Sequence, residues 1–231
     1  MKTVSLFFAT LALALTGMTA NAASVTKCGT DVCFTYDDST LFGDANVIGN
    51  NIFFLPTTFL AESLDGEGAV SAFATLNVEV EAITPGFNMN QFFLQESGDY
   101  FLQGEGASVS AGGMFAVTSL TQTCGGFFPC REQEIFNATG MTTVGSFDDW
   151  SISAAIDLTN NAAWSGDTKV TMTLENRLSA TTLNTGEQAF IQKKFAGVGI
   201  TVVPVPAAVW LLGSALGGLA FVARRRKRLA V

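Results

Sequence analysis

The stretch AWSGDTKVTMTLEN, residues 163–176, alternates with a period of two. Val170, Met172 and Leu174 fall on one side, and Thr171, Thr173 and Glu175 on the other. DDWSISAAIDL repeats the pattern with Trp150, Ile152, Ala154, Ile156 and Leu158 against Ser151, Ser153 and Asp157. VSAFATLNVEVEAI sets Leu76, Val78 and Val80 against Thr75, Asn77, Glu79 and Glu81. Such alternation specifies strands with one buried and one wet face, and it excludes amphipathic helices, whose period is 3.6. Further strands are expected near Cys33–Tyr36, Asn51–Phe59, Phe87–Glu96, Asp99–Gln103, Met114–Thr121, Gln188–Phe195 and Val198–Val203.

Turn signals separate these runs: Asp65-Gly66, Pro85-Gly86, Ser97-Gly98, Asn160-Asn161, Ser165-Gly166-Asp167 and Thr185-Gly186. About ten short strands with frequent turns imply an all-β fold, a jelly-roll-like β-sandwich. The 20 Phe residues are expected to fill the space between its sheets. Trp150 shares a face with Ile152 and reads as core. Trp164, Tyr36 and Tyr100 stand near turns or strand ends, where an aromatic serves either as a loop-to-core boundary or as an exposed platform for a sugar ring.

The start of the chain bears on its compartment. MKTVSLFFATLALALTGMTANA carries one basic residue, Lys2, an apolar run from Val4 to Leu15 and a small-x-small site at Ala20-Asn21-Ala22. This is the pattern of a secretory signal peptide over residues 1–22, and the apolar run is too short to span a bilayer. The four cysteines, Cys28, Cys33, Cys124 and Cys130, then read as disulfides, because an even count in an exported chain favours pairing. Three pairings are open. The local ones, Cys28–Cys33 and Cys124–Cys130, are preferred, since Gly29 and Gly125-Gly126 allow tight returns. A four-cysteine zinc site is the rival, with spacings that fit it poorly.

All 20 acidic residues lie between Asp31 and Glu187, while the body over residues 23–202 holds six of the 12 basic ones. Such a surface repels the phosphates of nucleic acid. There is no histidine, so neither a Ser-His-Asp nor a Cys-His pair can form. A carboxylate-pair glycosidase remains conceivable, but no two acids are singled out, and the body is expected not to be an enzyme. No cofactor is expected. Asp37, Asp38, Asp44, Asp148 and Asp149 offer hard oxygen ligands for a structural calcium ion, with plain surface acidity as the alternative.

The end of the chain, VPVPAAVWLLGSALGGLAFVARRRKR, concentrates the positive charge. Ala207 to Ala223 is an uncharged run of 17 residues, at the short limit for a transmembrane helix. Arg224, Arg225, Arg226, Lys227 and Arg228 follow, a flank that stays in the cytoplasm and halts transfer. Pro204 and Pro206 keep the entry extended. Residues 203–231 resemble the PEP-CTERM class of sorting signals, in its VPLPA-CTERM variant, with the motif written here as Val203, Pro204, Val205, Pro206 and Ala207. Val205 stands where the variant usually has Leu and the main type Glu.

The resemblance implies a Gram-negative bacterium and an exosortase, a membrane-embedded cysteine protease, that cuts near the prolines. It implies a transient stay in the inner membrane and delivery to the cell surface or matrix. It also implies association with exopolysaccharide and biofilm. The expectation is a non-enzymatic surface or matrix protein; the alternative is a carbohydrate-binding sandwich delivered by the same route.

Overall fold

The computed structural model describes residues 24–164 and 167–201. The expected signal peptide over residues 1–22, the expected sorting motif Val203–Ala207, the apolar run and the basic tail lie outside them. Among the described residues no helix is long and apolar enough to cross a membrane.

Among the described residues twelve strands form in chain order: β1 (Ser24–Cys28), β2 (Val32–Asp37), β3 (Ala45–Ile48), β4 (Asn51–Phe54), β5 (Leu60–Leu64) and β6 (Gly68–Ala82), then β7 (Gln91–Gln103), β8 (Ser108–Cys124), β9 (Phe128–Asn137), β10 (Phe147–Asp157), β11 (Lys169–Thr182) and β12 (Gln188–Thr201). The only helical piece among the described residues is a single 3-10 turn at Ala162–Trp164. One sheet, called the front sheet, runs β1-β2-β6-β11-β8-β9. The back sheet runs β10-β7-β12-β4-β3, with β5 also on β12. Every pairing is antiparallel. From β5 to β12 the chain changes sheet at each connection except the β8–β9 hairpin.

The two inner faces supply one core. Phe34, Val80, Phe115 and Leu174 come from the front sheet, and Ile52, Phe92, Leu94 and Ile191 from the back; all are buried. Each such side chain contributes about 1.5–3 kcal/mol on leaving water. The alternation read from the sequence is realised in β11, where Val170, Met172, Leu174, Leu178 and Ala180 point inward. At the corner where β5 meets β11, the buried hydroxyls of Ser63 and Thr182 hydrogen-bond each other at 2.8 Å. Asp65 (φ 52) and Gly66 (φ 82) make the tight β5–β6 turn expected of an Asp-Gly pair.

The fold has more strands than the sequence predicts, and several are longer. Ser97-Gly98 is not a turn: β7 runs straight through it. The glycine is there for clearance. A Cβ at Gly98 would sit 1.8 Å from the Gln192 carbonyl oxygen and 2.8 Å from Trp150 Nε1. Likewise Gln188–Phe195 and Val198–Val203 are not two strands; residues 188–201 form one strand with a bulge. The span expected as Asn51–Phe59 ends at Phe54, and Leu60–Leu64 forms a separate strand.

Candidate functional site

Two places in the fold carry unusual chemistry. The first is inside. The register of β12 against β7 shifts between Lys193 and Phe195. Before the bulge the inward positions are Ala189, Ile191 and Lys193; after it they are Ala196, Val198 and Ile200. Lys193 thus keeps the inward phase of the first half of the strand, and the bulge leaves both Lys194 and Phe195 on the outer side, Lys194 paired with Asp99 at 2.6 Å.

Lys193 and Glu96 are both 0% exposed, and Asn176 is 1% exposed. Glu96 lies on β7 and forms an ion pair with Lys193 Nζ, which also donates a hydrogen bond to Asn176 Oδ1. Asn176 belongs to β11 in the opposite sheet, so the centre straddles the sandwich. Three rings surround the amine: Phe59 and Trp150 at 5.6 Å and Phe42 at 5.8 Å from Nζ to centroid. Phe42 and Phe59 meet edge-on at 5.5 Å. Trp150 is fixed by its indole N–H, which donates to the Gln192 carbonyl at 3.2 Å. The Lys193 N–H donates to the Phe59 carbonyl at 2.9 Å.

Burial lowers the Lys193 pKa, with the Glu96 carboxylate opposing it. Burial raises Glu96, against the pull of Lys193 and the neighbouring Asn176 amide. Both shifts run in the direction of the uncharged pair, amine and carboxylic acid, as desolvation of two ions in an apolar box requires. Asn176 Nδ2 and Glu96 Oε1 are buried without a well-aligned hydrogen-bond partner.

The second place is outside, on the back sheet. Phe53 and Phe195 stack at 6.1 Å and 25°. With Phe93, which is 48% exposed, they border a shallow trough of about 300 Å³. Gly197 and Gly199 form its floor, and Asn51 and Gln95 add amide groups. Further along, Phe147 packs against Phe101 at 5.2 Å and Phe190 at 6.0 Å.

The cysteines pair locally as expected: Cys28–Cys33 across the β1–β2 hairpin and Cys124–Cys130 across β8–β9. The zinc rival is thereby excluded, and two disulfides suit an oxidising, extracytoplasmic compartment. Trp150 is core. Trp164, Tyr36 and Tyr100 are buried too, so none of them is an exposed platform. Their polar tips point to other tasks: Tyr36 Oη donates to Asp44 at 2.5 Å, and Tyr100 Oη to Asp148 at 3.3 Å.

The five acids weighed for calcium do not gather. Lys27 binds Asp44 at 2.7 Å and holds its carboxyl below the usual range, Asp37 takes the Ser39 hydroxyl at 2.6 Å, and Asp148 takes the Thr143 hydroxyl at 2.6 Å. Among the described residues no group of three or more His, Cys, Asp or Glu is placed to hold a metal.

No protein-family model matches the chain, and no curated protein matches it. Among solved structures it is similar to a chain in "Structure of infectious bursal disease virus Gt strain", at 9% identity. The match covers 67% of this chain and 41% of that one, with a TM-score of 0.25. At that score the likeness carries no argument about fold or role.

Proposed function

We propose that this is a non-enzymatic exported protein of the cell surface or extracellular matrix of a Gram-negative bacterium. In this reading it is sorted through its VPVPA segment by an exosortase and associates with exopolysaccharide. The observation that supports it is where the molecule keeps its reactive groups. Lys193 and Glu96 are sealed between the sheets where no solute reaches them. They serve the scaffold rather than a substrate. An all-β sandwich closed by two hairpin disulfides is suited to an oxidising exterior, which agrees with the leader and the C-terminal signal.

The sorting step is tested by changing Pro204 and Pro206 together to Ala. Export and insertion persist, cutting stops, and full-length chain accumulates in the inner membrane. Mass spectrometry of the wild-type surface protein that still finds residues 211–228 attached would sink the idea and leave a simple anchor.

The second reading, a glycan-binding module, is favoured by one feature: the trough of Phe53, Phe93 and Phe195 over a glycine floor, with Asn51 and Gln95 beside it. Flat rings stack on the apolar face of a sugar while amides meet its hydroxyls. Binding to the host's own exopolysaccharide that Phe93→Ala abolishes supports this second reading over a purely structural role.

A further inference from the structure

We propose that Lys193 and Asn176 become joined by an intramolecular isopeptide bond, Nζ to Cγ, formed by the protein itself with Glu96 as its proton carrier. The bond would tie the front sheet to the back sheet. This goes beyond the sorting and surface reading and does not depend on it.

The geometry supplies every part of the reaction. Lys193 Nζ already contacts Asn176 Oδ1, which places it beside the amide carbon it must attack. An ammonium has no lone pair to attack with, but burial favours the free amine here. Glu96 also contacts Nζ and stands next to the Asn176 amide. In its protonated form the carboxyl donates to Oδ1 and stabilises the oxyanion as the tetrahedral centre forms. The nitrogen of Lys193 gives up a proton, Glu96 passes one to Nδ2, and the Cγ–Nδ2 bond breaks. One amine and one primary amide become one secondary amide and one ammonia; no oxidant or other reactant is consumed, and Glu96 ends as it began.

Two features of the surroundings favour this outcome. All three residues are at most 1% exposed, so water does not compete for the amide carbon. Two buried ions, or a buried amine and acid, are also a costly arrangement in an aromatic box. Linkage replaces the amine by a neutral amide and removes that cost. The product fills a structural gap as well. Each disulfide closes a hairpin inside the front sheet, so neither connects the two layers. The new bond would connect them at the centre, between β11 and β12.

The experiment is a peptide map of the full chain recovered from the exporting cell, unfolded, reduced and cut with trypsin. The expected product joins residues 170–177 to residues 178–194, lighter than their sum by one ammonia, with no cut after Lys193. If Arg177 resists cutting, the same loss appears in the span 170–194. Lys193 should refuse an amine-reactive label under denaturing conditions. A peptide ending at Lys193 in the unlabelled digest, or a labelled Lys193 in the digest of the labelled protein, overturns the proposal. That includes the case where Asn176 has lost ammonia on its own by cyclising. In Glu96→Gln the link should be absent while strand circular dichroism is kept; a linked Glu96→Gln removes Glu96 from its assigned part. The wild-type map decides the bond whether or not the variant folds.

Discussion

The two sheets solve the same problem in opposite ways. Both are built from period-two strands over one core, yet their outer faces differ. The front sheet shows water Thr35, Thr171, Thr173, Glu79 and Glu81, and Lys169 bridges Glu79 at 2.8 Å and Glu81 at 3.2 Å. Its two disulfides close hairpins at its opposite edges. The front sheet also exposes Phe73 on β6 and Phe128 and Ile135 on β9. The back sheet gathers phenylalanines into ring contacts outside and keeps a lysine and a glutamate inside. Its inward charge sits on a bulge, and its outward apolar rings sit over glycines. Alternation therefore fixes which residues share a face, but the polarity of each face is a separate choice. In the back sheet that choice has been partly reversed.

The sharpest way to break this contrast is to remove one cation from each sheet. Lys193→Met leaves Glu96 buried without its partner and should destabilise by about 3–5 kcal/mol. Adding Glu96→Leu to it should recover the part of the loss that comes from the unpaired carboxyl, because an apolar pair of similar size suits the site, while the part that comes from the missing Lys193–Asn176 link stays. Lys169→Ala on the front sheet should cost no more than about 1 kcal/mol, since exposed pairs are worth little. Urea unfolding of the three variants measures this. Equal costs at Lys193 and Lys169 would show that burial of the ion pair is not what distinguishes the sheets.

The disulfides come next. Replacing Cys124 and Cys130 by Ser, or Cys28 and Cys33 by Ser, should each cost about 2 kcal/mol, the chain-entropy value for so small a loop. Because each bridge stays within one sheet, the two losses should add in thermal unfolding. A loss well above their sum would mean that the front sheet's edges support each other through the core.

Much of this was legible from sequence, and what was not has a physical cause. The middle of the front sheet could be read almost directly, because Val170, Met172 and Leu174 alternate without interruption, but its edge strands β1 and β9 lie in no expected run. Asn176 continues that inward series before Leu178 and Ala180, and Glu96 follows Phe92 and Leu94 in the same way. Polar residues in step with a buried series were the signal for the internal centre. Lys193 hid itself, since a Lys-Lys pair in a strand does not reveal which member points inward until the bulge is known. Gly98 misled for a related reason: a glycine required by the close approach of Gln192 and Trp150 looks the same in sequence as one that makes a turn. The Trp and Tyr positions do not point to the outer trough, because the rings that border it are phenylalanines.

A smaller effect belongs to the end of the sandwich where β11 turns into β12. Glu187 accepts the N–H groups of Gly106 at 2.7 Å, Leu183 at 2.8 Å and Asn184 at 2.9 Å, and the Asn184 side-chain amide at 2.9 Å. These donors, the Asn184 side chain foremost, pull its pKa from 4.5 to about 2. The folded state therefore holds this carboxyl charged where the unfolded chain would take up a proton. Its stabilisation is complete above the unfolded value of 4.5 and fades as pH falls toward about 2. Glu187→Gln should be less stable at neutral pH and lose less stability between pH 4.5 and 2. Parallel acid titrations of the two proteins would show a different role for Glu187.

The least costly change for the fold should be the most informative about the back sheet's outer face. Phe93 lies across from Gly199 in the β7–β12 register, with 48% of its surface in water. Truncating it leaves no cavity in the core, so Phe93→Ala should shift stability by no more than about 0.5 kcal/mol. Phe115→Ala on the inner face of the front sheet, where the ring is fully buried, should cost about 3–5 kcal/mol. If the trough contacts a sugar ring, Phe93→Ala weakens binding to the host polysaccharide while urea unfolding stays unchanged. The loss would then lie in the stacking surface and not in the scaffold. If binding of wild type and variant to that polysaccharide is equal, the phenylalanines do not mark a glycan site. A cost near that of Phe115→Ala would instead make Phe93 part of the packing, and the contrast between the two outer faces would have to be redrawn.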